Sequence, residues 1–228
     1  MITTAERTDA DMKTDVLSEL AFEPSIQVTD IGVLVKDGVV TLNGRAENHG
    51  EKQNAIRAAM RVTGVVAVAD DIEVDLPEFG RRTDGDIAAA AANRIAWSTM
   101  IPAGAVEVTV REGRINLAGV VEWGYQREAA EAVLQHLAGV KGISNGITVN
   151  PTQAASGIGL DIRSALRRNA LLDDSEIQVE TSGNCVVLSG KVHNHTESEE
   201  AVRLAWAAPG VHTVDNQLKV DWFWGLAD

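Results

Sequence analysis

The side chains best suited to chemistry are few and scattered. His193-Asn194-His195 sets two imidazoles two residues apart, on one side of an extended segment, and imidazole is a general ligand for transition metals. A metal site normally needs three or four ligands, however, and the tripeptide falls where a strand gives way to a helix, so a solvated cap explains it as simply. Asp70-Asp71 with Asp75 could draw a cation, but the corresponding positions further along are Asn145-Gly146 and Asn216-Gln217, so no shared divalent site is expected. A monovalent ion held by backbone carbonyls would leave almost no side-chain trace. Cys185, among Val186, Val187 and Leu188, reads as a small half-buried residue rather than a reactive thiol. Ser189 and Ser198 have no base signature beside them, and no glycine-rich phosphate loop opens a helix. The expectation is a protein that is not an enzyme and has no catalytic residues or cofactor.

The aromatic residues carry more. The chain has one Tyr, three Phe and five Trp, and the tryptophans fall late: Trp97, Trp123, Trp206, Trp222 and Trp224. Trp206 sits on a helical pattern and is expected in a core. Trp123 and Tyr125 stand at a helix corner, and Trp222-Phe223-Trp224 prolongs the last strand. These five are the candidate contacts to another protein or a second copy, because clustered exposed aromatics mark interfaces. The alternative for the tail is that it folds back on its own chain.

The elements that must position these residues recur three times. Val33 to Gly44, Val108 to Gly119 and Val179 to Gly190 each read as an alternating apolar run, a tight turn with glycine, a second run and a closing glycine, which is a β-hairpin. Each is followed by a helical pattern and then by Gly64, Gly139 or Gly210, all 20 residues past the closing glycine (64 − 44, 139 − 119, 210 − 190). Asn48 with Glu51 and Asn194 with Glu197 have capping-box spacing, whereas the middle unit has Trp123 at the cap position and keeps Gln126, and an indole cannot cap. The six glycines Gly44, Gly64, Gly119, Gly139, Gly190 and Gly210 are expected to define the fold, the second of each pair ending a helix at positive φ.

Upstream of each hairpin an Asp precedes an aliphatic residue, at Asp15-Val16, Asp86-Ile87 and Asp161-Ile162. The distances to the closing glycine are 29, 33 and 29 residues (44 − 15, 119 − 86, 190 − 161), so the middle copy reads as carrying four extra residues near Met100 to Gly104. The first helix is expected from Lys13 to Phe22, with a Thr14 or Asp15 cap, and its counterparts from Asp86 to Trp97 and Asp161 to Asn169. The fold class is α+β: three tandem αββαβ units, each a three-stranded mixed sheet with two helices on one face. The expected boundaries are a disordered lead-in over 1–12, units at 13–77, 84–151 and 159–221, and an aromatic tail at 222–228.

Units of this size lie near the lower limit of independent folding, so each should lean on its neighbours. The net charge is −13 and no unit is basic, which excludes nucleic acid as a partner and disfavours anionic membrane surfaces. One cysteine permits no internal disulfide and fits a reducing compartment. The first residues contain no apolar stretch of the kind an export signal needs, so the expected location is cytoplasmic.

The pattern resembles the BON domain family, named for bacterial osmotically inducible and nodulation proteins. The resemblance rests on Leu42-Asn43-Gly44, Leu117-Ala118-Gly119 and Leu188-Ser189-Gly190, on Gly64-Val65, Gly139-Val140 and Gly210-Val211, and on Asp70, Asn145 and Asn216. It implies a non-catalytic binding module associated with osmotic or other stress. The ligand it implies is a partner protein or a monovalent ion, potassium in one cytosolic kind. Two alternatives accompany it: a structural homo-oligomer built by pairing units between chains, and a phospholipid-associated protein, which the acidity disfavours.

Overall fold

Thr8 opens the first helix with a reciprocal cap: its hydroxyl accepts from the Asp11 amide at 3.2 Å, and the Asp11 carboxylate accepts from the Thr8 amide. Thr83 and Asp86 repeat this arrangement in the second unit. The computed structural model describes residues 8–78, 81–150, 157–170, 172 and 176–220. Helix α1 spans Asp9–Phe22, α3 Asp84–Trp97 and α5 Ile158–Arg168, and each buries one stripe: Met12, Val16 and Leu20; Ile87, Ala91 and Ile95; Ile158, Ile162 and Leu166. Residues 8–12, expected in a disordered lead-in, are therefore the capped start of α1, and the helix begins four residues before Lys13.

These stripes also correct the register of the repeat. Unit two follows unit one by 75 residues at the first helix, the second helix and the last strand alike (87 − 12, 124 − 49, 149 − 74). Unit three follows unit two by 71 at the same three places (158 − 87, 195 − 124, 220 − 149). The middle unit has no insertion. Asp86-Ile87 corresponds to Asp11-Met12, one helical turn before Asp15-Val16, and a one-turn slip keeps the same face inward.

Each unit continues with a hairpin, a helix and a strand. The strands are β1 (Ile31–Lys36), β2 (Val39–Ala46) and β3 (Ala67–Val74); β4 (Val106–Arg111), β5 (Arg114–Val121) and β6 (Gly142–Val149); β7 (Ile177–Ser182), β8 (Cys185–Val192) and β9 (Thr213–Val220). The second helices are α2 (His49–Arg61), α4 (Gly124–Ala132) and α6 (His195–Ala207). In every sheet the middle strand pairs antiparallel with its hairpin partner and parallel with the last strand. Both helices of a unit bury their apolar stripes on one sheet face: in the first, Val16 and Leu20 of α1 and Ala55 and Ala59 of α2 share a core with Val33, Val40, Leu42 and Ile72. Three such sheets with six helices are the expected α+β array.

The turn aspartate of the first helix binds the hairpin. Asp9 accepts from the amides of Asp37 and Gly38, and Asp84 accepts at 2.8 Å from those of Glu112 and Gly113. The closing glycines have a steric cause: at Gly44, Gly119 and Gly190, all at positive φ, a β-carbon would overlap the carbonyl oxygen of Asp30, Ala105 or Glu176. Gly64, Gly139 and Gly210 also take positive φ, near 90°, but sit in the turn beyond the helix, not at the residue directly after it.

The second helices join the units head to tail. The start of α2, at Gly50, packs against His136 beyond α4. The start of α4, at Gly124, packs against Trp206 near the end of α6. The start of α6 returns to the first unit, where His195 Nε2 lies 2.9 Å from the Val66 carbonyl oxygen. Three seams thus close a ring of three units.

Candidate functional site, an aromatic groove between the second and third units

In two units the second helix begins on asparagine, whose side-chain oxygen accepts from the amide three residues on: Asn48 from Glu51 and Asn194 from Glu197, each at 2.9 Å. The carboxylate three residues into the helix also reaches back, with Glu51 taking the Glu47 amide and Glu197 the His193 amide. The middle unit keeps only this second half. Gln126 Oε1 accepts from the amides of Glu122 and Trp123 at 3.0 Å, and the indole at 123 makes no cap. Position 123 is thereby released from capping and presents an aromatic face instead.

Gly124 completes the arrangement. A β-carbon there would come within 2.8 Å of Trp206, so only glycine lets the indole approach the backbone. Trp206 packs against the cores of both the second and the third units. It was expected inside one core; it is the seam between two. Beside it opens a groove of about 410 Å³ lined by Trp123, Tyr125, Glu128, Arg203, Trp206 and Ala207. Tyr125 is 48% exposed, and Trp123 and Trp206 are half-buried. The structure therefore brings the two expected contact residues of the helix corner together and adds Trp206, whose signal in sequence was only a tryptophan where the other units carry Met60 and Gln135. The other expected contacts, Trp222, Phe223 and Trp224, lie outside the described residues.

The charges around the groove are unequal in commitment. Arg203 holds Glu200 through two bonds, at 2.6 and 2.7 Å, which lowers the Glu200 carboxyl and raises Arg203. Arg127 lies 5.9 Å from the Trp206 ring centroid, a cation over an indole. Glu128 is exposed overall, yet partial loss of solvent pushes its carboxyl up, with Arg127 and Arg203 drawing it back down. Unlike Glu200, it makes no hydrogen bond among the described residues.

The other candidates resolve into structure. His193 turns its ring to Glu197 at 3.0 Å while His195 turns to Val66, so the two imidazoles do not converge. Asp70, Asn145 and Asn216 each accept from the amide two residues on, and each ties the last strand to the same position of helix two: Lys52, Arg127 or Ser198. Among the described residues no group of three or more His, Cys, Asp or Glu could hold a metal ion. Cys185 is exposed at the start of β8, not half-buried, because it pairs with Ser182 at the turn end of the hairpin. In the first seam His49 is 5% exposed, its Nδ1 makes no hydrogen bond among the described residues, and burial, followed by the nearby Lys52, lowers its pKa.

The BON domain profile matches this chain over residues 8–75, 83–151 and 155–221. The chain belongs to the BON-domain family. As a BON protein it is similar to osmotically-inducible protein Y of Escherichia coli K12, at 28% identity over 143 residues, covering 61% of this chain and 71% of that protein. It also aligns with two structures of CdsD, a structural protein of the type III secretion system of Chlamydia trachomatis. Both are 14% identical, with TM-scores of 0.26 and 0.25, covering 92% and 94% of this chain and 92% and 99% of theirs. Scores that low carry no argument about this BON array. No described helix is long and apolar enough to cross a membrane.

Proposed function

We propose that this BON array is a non-catalytic binding module of the stress response, and that its ligand is a partner protein held in the groove of Trp123, Tyr125 and Trp206. The single observation that carries the reading is the groove itself. Tyr125 is left nearly half exposed beside two half-buried indoles, so that three aromatic side chains gather around one opening. Clustered aromatics of this kind supply most of the energy of protein interfaces. The likeness to an osmotically inducible protein supports the stress association. Pairing of units between chains is the weaker reading, since the faces through which the described units meet are engaged within one chain.

Selection from a displayed peptide library against the folded chain tests this. The expected result is a consensus whose binding is lost when Trp123→Ser and Tyr125→Ser are introduced together and the melting temperature is kept. A consensus indifferent to both substitutions, or no consensus, overturns the reading.

A further inference from the structure

We infer that the groove takes a cation, and that the segment it holds on the partner protein presents an arginine or lysine side chain there. This rests on the reading of the groove as a partner site and adds the chemistry of what enters it. Three aromatic side chains, the Glu128 carboxylate and the Arg203 guanidinium, itself tied to Glu200, line a single groove of about 410 Å³. Aromatic faces carry negative potential, and a positive group stacked over them gains about 0.5–1 kcal/mol at exposed sites and more when desolvated. The chain already shows this chemistry on one ring, where the Arg127 guanidinium stands 5.9 Å over Trp206.

The carboxylates at the rim differ in what they can still accept. Glu200 is satisfied by Arg203 through two short bonds, so that pair is neutral to an incoming group. Glu128 accepts no hydrogen bond among the described residues, although Arg127 and Arg203 stand near enough to stabilise its charge, so it keeps the capacity to accept one from an incoming cation. The long-range field agrees. At a net charge of −13 the chain attracts basic segments and repels acidic ones before contact.

The test uses the full chain and four probes: N-acetyl-glycyl-arginyl-glycinamide, its leucine and glutamate counterparts, and tetramethylammonium. Indole N–H resonances, assigned by single Trp→Phe substitutions, report binding at Trp123 and Trp206. The arginine peptide should shift both and bind about fivefold tighter than the leucine peptide, with Glu128→Gln removing most of that preference and leaving the melting temperature unchanged. A leucine peptide that binds as well as the arginine one overturns the cation assignment while the groove remains a docking site. Tetramethylammonium binding as tightly as the arginine peptide overturns the partner side chain in favour of a small organic cation. If no probe moves either resonance, the cation assignment falls, and the peptide selection decides separately whether the groove binds anything.

Discussion

Gly44→Ala tests the packing and the coupling of the units together. Gly44 sits at φ 117°, and a β-carbon there would overlap the Asp30 carbonyl oxygen and lie 3.1 Å from its carbon. Positive φ alone costs an L-residue about 1–2 kcal/mol. The overlap is with backbone, so it is relieved only by shifting β1 from β2 where Ile31 faces Gly44, which weakens about two ladder bonds at about 1 kcal/mol each. The expected loss is about 3–4 kcal/mol, a large share of the stability of any small domain. The first unit contains none of the five tryptophans, so fluorescence in a urea titration watches only the rest of the chain. If the seams couple the ring, the fluorescence midpoint falls with the far-UV circular dichroism midpoint; if unit one melts alone, dichroism shows an early step that fluorescence misses. Gly104→Ala is the control, since Gly104 has φ 74° with nothing within 4 Å of the added carbon, and should cost only the positive-φ penalty of about 1–2 kcal/mol. A Gly44→Ala chain as stable as the Gly104→Ala control would refute the overlap argument.

Trp206→Ala should destabilise by about 2–3 kcal/mol, below the ~3–5 of a fully buried aromatic because the ring is half-buried, and double-mutant analysis with Arg127→Ala should show coupling. His49 has its folded pKa below the unfolded value, so its contribution is complete above the unfolded pKa near 6.5 and is lost as pH falls through the folded pKa. Urea midpoints should therefore decline on acidification below about pH 6.5, less steeply in His49→Leu, and parallel profiles would exclude His49 as the cause. A potassium site would raise the melting temperature in potassium above equal sodium and choline, by the linkage of any ligand that binds only the folded chain; coincident curves would remove the ion.

Much of this was legible in the sequence, and the misses share a cause. Hairpins, closing glycines and the mixed sheet follow from local signals, since period-two alternation, a turn and a glycine each constrain the backbone where they stand. The register of the first helix was misread because Asp86-Ile87 and Asp15-Val16 lie one turn apart, and a helix displaced by one turn presents the same stripe. Trp206 was misplaced for a different reason: it is apolar on the inner face of a helix, and sequence cannot say whether that face meets its own sheet or the next unit. Trp123 was visible as a broken cap, but what the broken cap frees it to do depends on Gly124 and on a helix 80 residues away.

The head-to-tail seams also govern how many copies of this fold can stay together. An interface whose two faces differ does not limit itself; it continues until the rotation it imposes brings the last face back to the first. Here that happens after three steps, and all three are spent inside one polypeptide. Cut to a single unit, the chain would offer one face of each kind, but the two belong to different seams and lack their own partners. Cut to two, it would keep one seam and leave one face of each kind uncovered. The count of repeats is thus a stop signal for assembly. The three seams use different pairs, Gly50 with His136, Gly124 with Trp206 and His195 with Val66, which fixes the order of the units as well as their number.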